Sequence, residues 1–181
     1  TPTCTQSGTP CSGSTGLVEI EEYKYEKLIT LDHCDDWVFN VCLANRNAAI
    51  TTVVDPSNEQ LCVQAELNNL NFCNNSPIFT EYPAPYICVN EPFCFNNGAF
   101  DPDGDSLVYS LITPLAYDFA TGTIGNVQYL PGYSVTSPIS GSTTFDASSG
   151  NLCMTATATE IGIVAMKISE YRNGVFIGSV I

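Results

Sequence analysis

The chain has 181 residues, 44% of them apolar, which is enough to bury a core in one large or two small domains. Only 13% are charged, and 5 basic against 19 acidic residues give a formal charge of −14. Such a balance excludes nucleic acid as a partner, because no basic patch exists to displace counterions from phosphates, and it disfavours an anionic membrane surface for the same reason. No apolar run reaches the roughly 18 residues needed to cross a bilayer, so no membrane insertion is expected.

Residues 1–16 are rich in Ser and Thr and carry no charge, the composition of a tail or linker. Thr1, Thr3, Thr5 and Thr9 are candidate O-glycosylation positions. The chain opens on Thr1 with no charged-then-apolar leader, so numbering is expected to begin after processing. From Leu17 the dominant period is two. Val18 and Ile20 alternate with Glu19 and Glu21; Trp37, Phe39, Val41 and Leu43 share a face; Leu61, Val63, Ala65 and Leu67 alternate with Cys62, Gln64 and Glu66. Each reads as a half-buried strand. A short helix capped by Ser57 and running through residue 68 is the minority alternative. Asn74-Asn75-Ser76 is an N-glycosylation sequon with Asn74 as acceptor.

Pro83, Pro85 and Tyr86 mark a boundary, so residues 17–85 are expected to form one β-sandwich and residues 86–181 a second. Strands are expected near 86–95, 106–113, 127–135, 143–146, 151–156 and 161–172. Asn173-Gly174 between two apolar runs predicts a tight hairpin, because both central residues of a type I′ turn need a positive φ. The strand returning from it, residues 175–181, is expected to stop short of pairing fully with 161–172, so that either the protein continues or this edge meets another molecule.

Just ahead of the expected strand at 106 stands Asn96-Asn97-Gly98-Ala99-Phe100-Asp101-Pro102-Asp103-Gly104-Asp105. Pro102 fixes φ and Gly104 allows a positive one, so the turn can fold the carboxylates of Asp101, Asp103 and Asp105 toward one centre. Ca²⁺ takes six to eight oxygens in adaptable geometry, with Asn96, Asn97 or a carboxylate from another strand completing the shell. An EF-hand is excluded, since Ile112 stands where the bidentate Glu should be and the flanks read as strands. An ordinary solvent-facing turn, with Asx side chains capping their own backbone, is the alternative. Any metal here would be structural, as no nucleophile or base adjoins it.

Nine cysteines point to disulfides in an oxidising compartment, hence to a secreted protein. There is no C-x-x-C pair for zinc, and the single histidine, His33, abuts Cys34. The working pairs are Cys4 with Cys11, Cys73 with Cys88, and Cys94 with Cys153. Cys34, Cys42 and Cys62 compete for a fourth, and the odd count leaves one thiol over.

The block CVNEPFCFNNGAFDPDGDSLVYSL, followed by TFDASSGNLCMTATATEIGIVAMKISEYRNGVFIGSV, resembles the cadherin-like or PKD-like immunoglobulin-fold modules of large secreted surface proteins from Bacteroidota. The resemblance covers about residues 30–181. It implies tandem immunoglobulin-like sandwiches, an adhesin or fibre subunit, and Ca²⁺ on Asp101, Asp103 and Asp105. Asp105-Ser106-Leu107 also matches an O-glycosylation pattern of that phylum, with Ser106 as acceptor.

Catalytic signatures are sparse. Ser-His chemistry would have to run through His33, no G-x-S-x-G occurs, and phosphate-cradling glycine motifs are absent. Glu19, Glu21, Glu22 and Glu26 could furnish a glycosidase carboxylate pair, but with Lys24 and Lys27 between them an exposed strand face is the simpler reading. A non-enzymatic structural subunit is therefore expected: all-β, stapled by disulfides, stiffened by Ca²⁺, and self-associating into a filament or long adhesin, with strand exchange as the joining step. The alternative is a carbohydrate-binding module whose glycan would stack on Tyr82, Tyr86, Tyr117, Tyr129 or Tyr133.

Overall fold

The computed structural model describes residues 24–82, 86–96 and 98–181. Among them the fold is all-β, with twelve strands and a single 3-10 turn, Pro56–Asn58. In chain order the strands are β1 (Trp37–Leu43), β2 (Leu61–Leu67), β3 (Ile78–Phe79), β4 (Phe93–Asn96), β5 (Ala99–Phe100), β6 (Ser106–Ile112), β7 (Leu115–Asp118), β8 (Thr123–Asn126), β9 (Gly141–Asp146), β10 (Asn151–Ala156), β11 (Ala165–Arg172) and β12 (Val175–Val180).

Seven strands make one antiparallel sheet in the order β6-β11-β12-β2-β7-β8, with β1 paired to β2. A smaller sheet runs β4-β10-β9, and β3 pairs with β5. The expected boundary near residue 85 does not separate two sheets. β2, from the first half of the chain, is hydrogen-bonded to β12 at Leu67↔Gly178 and Ala65↔Val180 and to β7 at Cys62↔Leu115. For the same reason β12 is no open edge: β11 flanks it on one side and β2 on the other.

Directly paired residues share a face, so the register tells which side chains point inward. Tyr109, Ile168, Val180, Ala65 and Phe39 form one row across β6, β11, β12, β2 and β1. At the β6-β11 end this face packs under Phe145 of β9, making a core of Tyr109, Met166 and Ile168 with Ala99, Leu107 and Val180 against it. A second core gathers Val53, Ala116 and Val127, packed by Ile50, Tyr129 and Ile163. Three strands cannot cover seven. The continuation of the inner face onto β1 and β2 leaves Val41, Leu43, Leu61 and Val63 between 43% and 52% exposed.

Local chemistry explains the connections. Asn173 (φ 54°) and Gly174 (φ 79°) supply the positive-φ pair of the β11-β12 hairpin. β7-β8 and β9-β10 close through turns of one design. In each an aspartate, Asp118 or Asp146, caps the N–H groups or hydroxyls two and three residues on, and its carbonyl accepts from the glycine four on, Gly122 or Gly150. The strand expected from Leu61, Val63, Ala65 and Leu67 forms as β2, paired to β1 and β12, and the alternative helix through residue 68 does not. The strand expected at 127–135 is reduced to a bridge between Val53 and Tyr129, as Pro131-Gly132 turns the chain.

Two disulfides join residues directly opposite in antiparallel ladders: Cys42 to Cys62 between β1 and β2, and Cys94 to Cys153 between β4 and β10. The expected Cys73–Cys88 bridge is not formed. Cys73 is an exposed free thiol, Cys34 is also free, and Cys88 is bonded to a different cysteine. Cys73 instead lies in the loop that hands its carbonyl to Arg172. Cys4 and Cys11, with Thr1, Thr3, Thr5, Thr9 and the strand expected at Val18 and Ile20, lie outside the described residues.

Candidate metal centre

β5 and β6 are neighbours in sequence, and the five residues between them must reverse the chain, which is what Pro102 and Gly104 (φ 79°) permit. The reversal brings one carboxylate oxygen from each of Asp101, Asp103 and Asp105 within 4.8 Å of the others. Asp101 builds the turn: its Oδ1 accepts the N–H of Asp103 and of Asp105, each at 2.9 Å. Thus the Asx-capping alternative and the clustering of acids are one structure.

Residues far away in sequence complete the site. Glu170 and Arg172 come from β11, which pairs with β6 through Glu170↔Leu107 and Tyr171↔Ser106. Asn74 and Asn75 come from the loop after β2. Arg172 forks onto Asp105, with Nε to Oδ1 and Nη2 to Oδ2 both 2.7 Å, and lies 3.4 Å from Asp103 Oδ2. Nη1 donates to Cys73 O at 3.1 Å, and the guanidinium sits 5.8 Å above the Phe72 ring. Asp103 accepts from Asn75 twice, the backbone N–H at 2.7 Å and Nδ2 at 2.9 Å. Those bonds hold the Asp103 carboxyl below its usual range, with Arg172 adding to the effect. The same acids hold the Arg172 guanidinium firmly protonated.

Glu170 is the residue that sequence reading missed. It is fully buried, on the inward face of β11. Its Oε2 accepts from Asn74 Nδ2 at 2.6 Å, while Oε1 is buried without a partner. Asp101 Oδ2 is likewise buried without a partner. Burial, the largest influence, pushes the Glu170 carboxyl above its ordinary value; the Asn74 bond opposes this, and the nearby Asp101 and Asp105 carboxylates push it further up. Two orphaned oxygens of neighbouring carboxylates invite either a proton held between them or a cation. The donor set is all hard oxygen, which suits Ca²⁺ rather than a soft metal. Against an ion stands Arg172, which already spans both oxygens of Asp105 and approaches Asp103.

Other expected site residues fall elsewhere. Asn96 donates through Nδ2 to Ser149 O and accepts the Gly98 N–H at Oδ1, so its side chain serves the β4-β5 turn; Asn97 lies outside the described residues. Asn74 spends Nδ2 on Glu170 and Oδ1 on Arg172, and an N-linked sugar would have to displace the Glu170 bond. Ser106 is exposed at the start of β6. A second acidic group, Cys34, Asp35 and Asp36, sits at the entry to β1, where the Cys34 thiol bonds Asp36 at 2.7 Å. His33 bonds Asn69 O at 2.9 Å through Nδ1. The tyrosines are dispersed in role: Tyr133 donates to Glu160, Tyr129 packs on the Val53 core, and Tyr117 stacks edge-on with Phe119.

Fold and site together define an all-β, multi-sheet, disulfide-bearing protein with a partly buried acidic cluster at one end of its main sheet. No protein-family model, curated protein or solved structure matches the chain. No helix among the described residues is long and apolar enough to cross a membrane.

Proposed function

We propose that this chain is a non-enzymatic structural subunit of an extracellular filament or long surface adhesin. Its modules are immunoglobulin-like and cadherin-like, and copies join head to tail. One observation carries this reading: among the described residues the inner face of the seven-stranded sheet runs past its covering sheet and ends in a strand pair, β1-β2, whose apolar side chains are half exposed. Exposed apolar area of this kind marks an interaction surface. Disulfides across both sheets suit an oxidising, extracellular setting.

Ca²⁺ held by Asp101, Asp103, Asp105 and Glu170 would tie the β5-β6 turn to β11 and neutralise the buried charge there. Arg172 and Asn75 orient two of those carboxylates, and Asn74 holds the third. The ion's contribution is rigidity, since it would lock turn, strand and the loop after β2 into one body.

Negative-stain microscopy and sedimentation of the purified chain, with calcium and with chelator, test the reading. Filaments or a ladder of oligomers support it, and a monomer at every concentration refutes it. A second reading has one observation in its favour: a groove of about 590 Å³ beside the Cys42–Cys62 bridge is lined by Asn40, Gln60, Tyr117, Thr123 and Ile124. An aromatic ring between amides suits a sugar. Glycan-array binding that Tyr117→Ala abolishes would favour this carbohydrate-binding alternative.

A further inference from the structure

β6 ends the strand order of the seven-stranded sheet, and β9 ends that of the three-stranded one. In an antiparallel ladder alternate residues turn both main-chain groups toward the same neighbour, so an end strand carries one set that faces away from its sheet. On β6 that set includes Tyr109 and Leu111, because the Tyr109 N–H leaves the sheet and donates to Ala147 O, just past β9, at 3.1 Å. On β9 the set includes Thr143 and Phe145. The β9-β10 register continues to Thr157, whose N–H donates to Ser140 O, so even-numbered residues of β9 bond β10 and odd-numbered ones turn outward.

The two outward sets face each other across a gap. β6 runs away from the Tyr109–Ala147 bond and β9 runs into it, and beyond that bond the strands part. Leu111 and Phe145 come next in what would be a closed ladder, yet among the described residues neither bonds the other. Between them opens a slot of about 360 Å³ lined by Tyr109, Leu111, Val135, Thr143 and Phe145. Its floor is the edge of the Tyr109-Met166-Ile168 core, on which Phe145 packs. Thr143 adds a buried Oγ1 that has no partner.

An extended backbone matches this shape, since it offers donors and acceptors along both of its edges and drops alternate side chains onto an apolar floor. Charge narrows the choice. The chain carries −14, and exposed Asp146 lies between the lining residues Phe145 and Ala147, so a basic segment is attracted and a second copy, equally acidic, is repelled. We propose that the slot takes an extended segment of another protein, apolar at alternate positions and basic at its ends, which enters as a strand and bonds β6 on one side and β9 on the other. Filling it joins the two sheets along that side. The slot lies across β11 and β12 from the β1-β2 pair, and the proposal goes beyond the filament reading, which stands or falls separately.

The test titrates full-length chain grown on heavy nitrogen with three probes, Lys-Val-Thr-Val-Thr-Val-Lys and its versions with Leu or Phe in place of Val, and follows amide exchange by nuclear magnetic resonance. At least one should bind with a dissociation constant below about 1 mM and slow exchange at the Leu111 and Phe145 amides about tenfold or more. N-methylation of the probe along either edge should weaken binding about fivefold or more, because each edge carries its own bonds. Glu in place of the terminal Lys should weaken it too. Thr136→Trp, at an exposed position lining the slot, should block entry and weaken binding about tenfold or more, with circular dichroism confirming the fold. The proposal is overturned by three probes that all fail to bind, by binding that leaves both amides exchanging as before, or by indifference to N-methylation of one edge or to the charge of the ends. Protection of the same amides on concentrating the chain alone assigns the slot to a second copy and overturns it as well.

Discussion

Replacing Glu170 with glutamine separates a cation from a proton at the acidic cluster. Glutamine keeps the shape, so its carbonyl still accepts from Asn74 Nδ2, and its amide can donate to the orphaned Asp101 Oδ2. In chelator the substitution removes a buried, unpartnered carboxylate oxygen, whose burial costs about 1–3 kcal/mol. At roughly 2–4 °C per kcal/mol for a chain of this size, Glu170→Gln should melt about 2–12 °C above wild type. Calcium narrows the gap. An ion at 100 times its dissociation constant adds about 2.7 kcal/mol, or about 5–11 °C, to wild type. The variant, lacking the fourth anion, should gain under half of that. Differential scanning calorimetry with calcium and with chelator reads both effects. Equal calcium shifts in the two proteins, or a variant less stable than wild type in chelator, would refute the assignment of Glu170.

Stability against pH carries the same signature. The Glu170 carboxyl titrates above its ordinary value, so its contribution is complete below that value and is lost as pH rises through the raised one. Chelated wild type should lose stability across that window and Glu170→Gln should not. The hydroxyl and amide bonds that hold Asp146 down to about 2 act oppositely, their stabilisation fading only as the medium becomes strongly acid. Loop entropy ranks the disulfides: separations of 59 and 20 residues give about 4 kcal/mol for Cys94–Cys153 and about 3 kcal/mol for Cys42–Cys62, to be compared by urea midpoints of the paired serine variants. Maleimide added to native protein should modify exposed Cys73 ahead of half-buried Cys34; a native chain in which Cys73 resists labelling would contradict the observed pairing. Arg172→Gln leaves the Asp105 carboxylate without its fork and should lower the melting temperature more in chelator than in calcium, since the ion can replace the lost positive charge.

Whatever is local was legible in the order of the residues. Period-two alternation placed β1 and β2, Asn173-Gly174 placed the last hairpin, and Pro102 with Gly104 announced the clustering of Asp101, Asp103 and Asp105, because each depends on backbone preferences within a few positions. The β7-β8 hairpin had a comparable signal, Asp118 four residues before Gly122, which period-two reading passes over. Nothing local announces that β2 will lie between β1, β12 and β7, or that Cys42 will face Cys62. Nor does it announce that Glu170, Arg172 and Asn74 will close around a turn some 30 to 70 residues distant. Sheet order decides those, and it is set by which apolar faces bury one another across long loops. The chain by itself determined an acidic, disulfide-rich, all-β protein with a turn able to gather carboxylates. Tertiary pairing alone decided that a buried glutamate joins them, because that is a consequence of which strands became neighbours.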